Sequence, residues 1–290
     1  MKRKVLTICL AIAVFVLALG LMLYPIISVH YNERHQSEIH TAYQEEVGQV
    51  DTSAIDKAKE LAIAYNETLV PGVQMAEAFS HEAILYASED YDSQLDLTGR
   101  GIMGYVQIPS INVDLPIYHG TSDATLENGV GHLVGSSLPV GGANTHTVLT
   151  AHSGMASQKM FSDLDALELG DVFYLEVLGE KLAYQVDQIK VVLPYDTTYL
   201  GIVSGEDYCT LVTCTPFAVN THRLLVRGTR IPYEEAEVIE EQIFEEEKPA
   251  STWEQAYKEA FLIAIAVVVV IGIIVLIVWL IRRNRNETVA

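Results

Sequence analysis

One cysteine lies at the point where a strand predicted from the sequence ends. Cys214 follows the β-favouring run Thr210–Thr213 and precedes Pro216, which cannot continue the hydrogen-bond ladder of a sheet. A thiol at a strand end opens onto a cleft, and the thiolate is the nucleophilic form in cysteine enzymes. Cys209 lies five residues earlier, on the opposite face of the same strand, and suits a buried apolar position. Cys214 is therefore the candidate nucleophile, and we do not expect the two thiols to form a disulfide.

A nucleophilic cysteine needs a neighbouring base or positive charge that raises its thiolate fraction. His152 is the best candidate, because it follows the apolar run 148–151 and precedes Ser153-Gly154, again at a strand end. It could serve as the acid and base of an acyl transfer. The other histidines of this region are expected to be structural or solvated: His30, His35, His40, His81, His119, His132, His146 and His222.

Acyl transfer also requires a donor for the oxyanion that develops on the attacked carbonyl. Arg223 lies nine residues after Cys214, and the intervening loop 215–222 is long enough for the chain to return antiparallel. Such a hairpin would place Arg223 beside Cys214. Arg227 and Arg230 follow in the same strand and loop, and ordinary surface pairing accounts for them.

The chain changes character at Gly101, where short β-favouring runs begin to alternate with turn residues. This pattern predicts a barrel or a sandwich of short strands. The predicted strands are 103–108, 113–118, 147–151, 172–178, 183–193, 209–214 and 224–228. Residues 31–98 are predicted to be helical instead, with a helix that starts at Ser53 and ends before Pro71-Gly72, because apolar residues recur there at helical spacing.

Two long apolar segments lie near the ends of the chain. The first, residues 5–29, follows Lys2-Arg3-Lys4, and the second, residues 261–281, is followed by Arg282-Arg283. Each is long enough to cross a membrane as a helix, and the flanking cations place both termini in the cytoplasm and residues 30–260 outside the cell. The alternatives are a cleaved signal peptide for the first segment and a buried soluble helix for the second.

The formal net charge of −20 argues against a nucleic-acid partner, because phosphates would be repelled. Residues 234–247 carry eight of the glutamates and neither Lys nor Arg. We expect residues 234–258 to form a mostly solvated acidic stalk. The sequence contains no metal cluster, phosphate-binding loop or cofactor motif, so no cofactor and no metal are expected.

The motifs around the three candidate residues resemble those of the sortases. The segments 149–154 (LTAHSG), 210–216 (TLVTCTP) and 220–228 (NTHRLLVRG) match the His, Cys and Arg motifs of that family in order and spacing. Segments 101–109, 115–121, 131–133 and 136–142 resemble class C, the pilin-polymerising branch. The resemblance covers about residues 75–233 together with the two apolar terminal segments.

This resemblance implies a mainly β fold: a closed sortase-type β-barrel with short helices, a helical N-terminal segment and two terminal transmembrane helices. The expected organisation is a membrane segment (1–30), a helical region (31–98), the catalytic barrel (99–233), the acidic stalk (234–258), a second membrane helix (259–281) and a basic cytoplasmic tail (282–290).

The resemblance also implies a cysteine transpeptidase that acts on secreted proteins bearing an LPXTG-like sorting signal. Cys214 would attack the Thr carbonyl of that signal, and Arg223 would stabilise the oxyanion or hold the peptide. His152, as imidazolium, would protonate the leaving Gly amine. An amine, with a pilin Lys as the expected acceptor, would then resolve the thioacyl-enzyme.

Class C enzymes often carry an Asp-Pro-aromatic lid before the barrel. Here Glu77-Ala78-Phe79 occupies the corresponding place and keeps an acid and an aromatic residue but no proline. Without proline the backbone is less restricted before folding. Glu77 and Phe79 are therefore candidate lid residues, and the alternative is a helix start with Phe79 in the core.

Two other functions remain open at this point. A sortase that anchors single surface proteins to the cell-wall precursor would use the same chemistry with another amine. A non-catalytic surface binding or scaffold module would use the same barrel with an inert thiol. The oligomeric state and the identity of the substrate do not follow from the sequence.

Overall fold

The computed structural model describes residues 2–69, 76–80, 89–155, 158–244 and 252–287. The chain forms two compact units, of which one comprises Met1–Ile27 and Thr252–Ala290 and the other Ser28–Ser251. The first unit is helical where it is described. The second holds every candidate site residue and the β-structure described below.

The predicted closed barrel is confirmed: within the described residues, eight strands close in the order β1-β2-β3-β4-β7-β8-β6-β5, although neither this order nor β3 was predicted. The strands are β1 (Ile102–Ile108), β2 (Val113–His119), β3 (Val130–His132), β4 (Thr145–Thr150), β5 (Val172–Val177), β6 (Glu180–Val192), β7 (Asp207–Thr215) and β8 (His222–Ile231). Pairs β2–β3 and β4–β7 run parallel, and the other neighbouring pairs run antiparallel.

The directions of β4, β7 and β8 bring three chain positions to one end of the barrel. Because β4 and β7 are parallel, the residue after β4 and the last residues of β7 lie at the same end. Because β8 is antiparallel to β7, its first residues lie there too. The residues at these positions are His152, Cys214 and Arg223.

The helices of the second unit pack against the outside and the ends of the barrel. They are the C-terminal part of α1 (Lys2–Gly48), α2 (Thr52–Thr68), α3 (Glu89–Asp92), α4 (Asp123–Asn128) and α5 (Tyr233–Phe244). Asn66 of α2 is buried and exchanges two hydrogen bonds with the backbone of Leu138, which ties α2 to the loop before β4. The N-cap of α2 is Asp51, whose carboxylate accepts from the backbone of Ser53, so the helix begins slightly before the predicted start.

The first part of the segment predicted to be a solvated acidic stalk is a helix that packs on the barrel. In α5, Ala236 is fully buried, and Ile239 packs on the cluster formed by Val172 and Tyr174. The hydroxyl of Tyr174 donates to Glu240 at 2.6 Å. Ala236, Ile239 and Glu240 form the inner side of α5, while Glu234, Glu235 and Glu241 are exposed, so the segment is attached to the barrel along a narrow stripe that was not predicted.

The C-terminal helix α6 (Thr252–Glu287) contains a segment, Lys258–Val275, that is long and apolar enough to cross a membrane. The N-terminal apolar segment, residues 5–29, lies in α1, but many of its side chains, including those of residues 5–12, lie outside the described ones. The membrane anchor predicted there stays a prediction.

Candidate active site

Three strand ends bring the predicted nucleophile, base and oxyanion donor together. Cys214 of β7 pairs directly with Arg223 of β8. On the other side, Thr150 of β4 pairs with Val212 of β7, so His152 and Cys214 each lie two residues beyond a paired position. The hydroxyl of Thr213 donates to the carbonyl of Ala151 at 2.8 Å, which keeps the chains side by side up to the residues before His152 and Cys214.

The thiol of Cys214 is half-buried. Burial raises its pKa, the guanidinium of Arg223 lowers it, and the carboxylate of Glu77 raises it again, with a net upward shift. Arg223 therefore favours the thiolate, while burial and Glu77 oppose it. In this conformation the thiol is protonated at neutral pH. Cys209, by contrast, is fully buried on the other face of β7, and both thiols are free.

The imidazole of His152 is likewise affected by both burial and nearby charges. His152 lies on the β4 side of Cys214, and Arg223 lies on the β8 side. Burial lowers the pKa of its imidazole, while the carboxylates of Asp123 and Glu127 on α4 partly offset that effect. These two residues are one helical turn apart, so they share a face of α4. The net downward shift leaves the imidazole neutral at neutral pH in this conformation.

The guanidinium of Arg223 forms an ion pair with Glu77, which lies in the segment before the barrel. Its Nε donates to Oε1 of Glu77 at 2.7 Å, and both side chains are largely buried. One of its terminal nitrogens donates to the carbonyls of Asn220 and His222, at 3.3 and 3.2 Å. The guanidinium is thereby fixed beside Cys214, with one edge occupied by a protein carboxylate.

Phe79 lies between the arginine and the histidine. Its ring centroid is 4.9 Å from the guanidinium carbon of Arg223 and 6.0 Å from the imidazole centroid of His152. Ala78 is buried against an apolar cluster that includes Val148, Val212 and Leu225, which belong to the strands carrying the three candidates. Residues 77–79 therefore lie over the site and contact two of its three members.

The structure thus brings together all five residues singled out from the sequence: Glu77, Phe79, His152, Cys214 and Arg223. Sequence reasoning missed the acidic pair on α4. The available signal was Ser122, which caps that helix, followed by acids at the first and fifth helical positions. Nothing local connects that helix to His152, because long-range contacts bring the two together: the pairing of β3 with β4, and the hydrogen bond from the Gln158 side chain to the carbonyl of Glu127.

Comparison with known proteins points in one direction. A family model of the sortase domain matches residues 106–231. The crystal structure of sortase C from Streptococcus pneumoniae has a TM-score of 0.63 and 47% identity, and the match covers 68% of this chain and 97% of that one. A pilus-related sortase C of group B Streptococcus has a TM-score of 0.61 and 44% identity, with 66% and 96% covered. The curated sortase A of Streptococcus agalactiae is 26% identical over 193 residues, which are 65% of this chain and 72% of that protein.

Proposed function

Because this chain belongs to the sortase family of cysteine transpeptidases, we propose that it cleaves an LPXTG-like sorting signal between Thr and Gly and transfers the Thr acyl group to an amine. The observation that carries the proposal is the direct pairing of Cys214 with Arg223 at the barrel end where His152 also lies. A nucleophile, an oxyanion donor and a proton donor then share one groove.

In the first step, the Cys214 thiolate attacks the Thr carbonyl carbon of the signal. A carbon–sulfur bond forms, and the charge that develops on the carbonyl oxygen is stabilised by the guanidinium of Arg223. The carbon–nitrogen bond to Gly then breaks as the imidazolium of His152 gives its proton to the leaving amine. The products are a thioacyl-enzyme and the released C-terminal peptide, which begins with Gly and has a free amine.

In the second step, an amine attacks the thioester and Cys214 leaves as thiolate. His152, now neutral, takes the proton released by the amine, so the enzyme returns to its starting state. Exclusion of water from the groove favours aminolysis over hydrolysis.

A pilin Lys is the proposed amine. The group B Streptococcus relative is pilus-related, and the S. pneumoniae structure concerns pilin substrate specificity. Both are 44–47% identical to this chain, whereas the sortase A relative is 26% identical. The substrate partners are then secreted pilin subunits that carry the sorting signal.

Glu77 and Phe79 form a lid in this proposal. The lid occupies the guanidinium through Glu77, covers the imidazole with Phe79, and raises the pKa of Cys214 through the carboxylate charge. A peptide that enters the groove must displace it. Opening would let water and substrate reach the three side chains and would favour the thiolate and imidazolium forms.

The apolar stretch in α6, which is long enough to cross a membrane, supports membrane attachment. We further propose that the catalytic barrel faces the outside of the cell and that both termini are cytoplasmic, because Lys2-Arg3-Lys4 and Arg282-Arg283 flank the apolar segments. If an epitope tag is added to each terminus, a protease applied to intact cells should then remove the barrel but leave both tags intact.

The test of the reaction is product analysis by mass spectrometry. The full-length protein in detergent is incubated with an LPXTG peptide and two amines, a pilin-derived Lys peptide and the peptide of the cell-wall precursor. We expect a thioacyl adduct on Cys214 and joining to the Lys peptide. Joining only to the cell-wall peptide would instead indicate anchoring of single surface proteins.

Two cysteine variants serve as matched controls. Cys214→Ala should abolish the adduct, whereas Cys209→Ala should retain it, because Cys209 is buried on the opposite strand face. An adduct that persists in Cys214→Ala would refute the assigned nucleophile. A wild-type thiol that reacts with no sorting-signal analogue would favour a non-catalytic module.

A further inference from the structure

The loop that follows His152 touches the loop that follows Cys214 at one close contact. Gly154 adopts φ +80°, and a Cβ placed on it would lie 2.6 Å from Cε2 of Phe217. The phenyl ring therefore rests directly on the glycine backbone. Glycine is required there for two reasons: its φ is in the left-handed region, and no room remains for a side chain.

A compact turn presents the phenyl ring. The backbone amides of Val219 and Asn220 both donate to the carbonyl of Pro216, each at 3.0 Å. Ala218 and Asn220 both adopt positive φ, at 63° and 59°. The position of Phe217 relative to Cys214, three residues earlier, is fixed by this turn.

The histidine loop is held from its other side. The carbonyl of His152 accepts from the amide of Phe161 at 3.1 Å, and the amide of Gly154 donates to the hydroxyl of Ser162 at 2.9 Å. Phe161 is fully buried and Ser162 nearly so, so these bonds attach the loop to the barrel core. The segment 152–154 is thus enclosed between residues 161–162 and the ring of Phe217.

We propose that the contact between Phe217 and Gly154 is a positioning contact, which joins the loops that follow Cys214 and His152 and sets the separation of the thiol and the imidazole. This inference rests on the proposed transpeptidase chemistry. Phe217 does not touch the reacting atoms and acts only through the histidine loop.

The contact matters most when the lid is open. In the closed conformation Phe79 also packs on the imidazole of His152. Displacement of residues 77–79 removes that support, whereas Phe217 belongs to the β7–β8 loop and stays. The ring of Phe217 then retains the histidine loop while peptide occupies the groove.

The experiment is a size-exchange cycle in the full-length protein in detergent. Phe217→Ala removes the ring and should lower kcat/KM for thioacyl formation by roughly 10- to 100-fold, with most of the loss in kcat. Gly154→Ala should lower it because the added methyl overlaps the ring. In the double variant the methyl has space, so the loss should be smaller than the product of the two single losses. Backbone strain at Gly154 is the same in both backgrounds and cancels.

A second readout requires no peptide. The pH dependence of Cys214 alkylation by iodoacetamide should move in Phe217→Ala towards the profile of His152→Ala, because the imidazole is no longer held near the thiol. Phe217→Tyr should restore the wild-type profile. Val219→Ala, in the same turn but with an exposed side chain, should change neither readout.

The outcomes separate this inference from the proposed reaction. If the wild-type protein forms no thioacyl adduct, the proposed reaction fails, and the alkylation profiles still test the contact. If the adduct forms but Phe217→Ala matches wild type in both rate and profile, the inference is overturned. Single losses that multiply in the double variant would overturn it as well.

Discussion

Arg223 donates from Nε to Oε1 of Glu77 at 2.7 Å, so the guanidinium beside the thiol is neutralised by a carboxylate from outside the barrel. The two side chains are 12% and 6% exposed, and neither charge is well solvated. A buried pair of this kind adds little stability, but loss of one partner leaves the other charge unpaired. In the proposed lid, the closed position of residues 77–79 therefore depends on the carboxylate of Glu77.

Glu77→Gln should accelerate alkylation of Cys214 at neutral pH. The charge-assisted hydrogen bond to Arg223 is worth about 1.5–3 kcal/mol, so its weakening should increase the open population by roughly tenfold. The pKa of Cys214 should also fall, because a negative charge is removed and Arg223 is left free to favour the thiolate. The rate of Cys214 alkylation, measured by quenching the reaction at set times and by mass spectrometry over about pH 5–10, reports both effects.

The matched control for this variant is Glu67→Gln, which removes an exposed carboxylate of α2. It should leave the alkylation profile unchanged. A Glu77→Gln profile that coincides with wild type would show that the carboxylate neither closes the groove nor raises the pKa of the thiol.

Ala78→Pro should slow cleavage of an LPXTG peptide. The amide of Ser80 donates to the carbonyl of Glu77 at 2.9 Å, which closes a four-residue turn with Ala78 in its second position. Proline is favoured at that position, and it lowers the conformational entropy of the open segment. The closed form should gain about 0.4–1 kcal/mol, or roughly a two- to fivefold lower cleavage rate.

Ala78→Gly provides the opposite change at the same residue. It increases the freedom of the open segment and should speed cleavage by a similar factor. Peptide cleavage followed by chromatography distinguishes the three proteins, and equal rates in all of them would count against occlusion by this segment.

The barrel and the positions of the three central residues were predictable because their signals are local. Runs of β-favouring residues between turn residues mark most of the strands, and Cys214, His152 and Arg223 each adjoin a strand end that turn residues or proline identify. Their convergence also required the parallel pairing of β4 with β7, which no local pattern specifies. Their chemical roles stay predictions until the variants are measured.

The features that sequence reasoning missed depend on distant pairings. Helix α5 contains enough glutamate to suggest a solvated segment, and only contact with β5 and β6 shows that Ala236 is its inner face. Phe217 and Gly154 lie 63 positions apart in the numbering (217 − 154), and nothing in either loop indicates the contact. The same limit applies to α4, which meets the histidine loop through one long-range bond, from Gln158 to the carbonyl of Glu127.

Neutralising the acidic pair on α4 should lower the pKa of His152 further. Asp123 and Glu127 both favour the imidazolium, whereas burial opposes it. The double variant Asp123→Asn/Glu127→Gln removes the favourable charges and leaves the burial. The kcat/KM should fall at neutral pH, above the lowered pKa of His152, because less imidazolium is available there to protonate the leaving amine.

Nuclear magnetic resonance titration of the His152 imidazole measures this shift directly. The control is Asp90→Asn in α3, because the carboxylate of Asp90 is not among the charges that shift the pKa of His152. A His152 titration curve that is the same in the double variant and in wild type would exclude the acidic pair as a source of its charge stabilisation.

His40 of α1 forms a charge cluster with carboxylates of β2 and β5, in which His40 and Glu176 are buried and Asp114 is partly exposed. Its Nδ1 lies 2.7 Å from Oδ2 of Asp114, its Nε2 lies 3.5 Å from Oε2 of Glu176, and its ring stacks on Tyr105 with centroids 4.0 Å apart. Burial alone would lower the pKa of His40, but the hydrogen bonds and charges of the two carboxylates outweigh burial and raise it to about 9. At Glu176 burial raises the pKa, but the contacts with His40, together with the hydrogen bond from Gln44 and the charge of Lys181, outweigh it and lower the pKa.

These shifts predict a pH window for the stability that His40 contributes. A pKa raised from 6.5 to about 9 on folding stabilises the folded state fully below pH 6.5, and this contribution is lost as pH rises through 9. Glu176 sets the acidic end of this window. Because its pKa is lowered on folding, its contribution to stability is present above its ordinary value of 4.5 and is lost as pH falls through the lowered value. His40→Gln should therefore destabilise the protein strongly at pH 6 and much less above pH 9, as measured by urea unfolding of the full-length protein in detergent. His30→Gln, at an exposed site of the same helix, should have little effect at either pH, and a His40→Gln loss that is equal at both would contradict a charged His40.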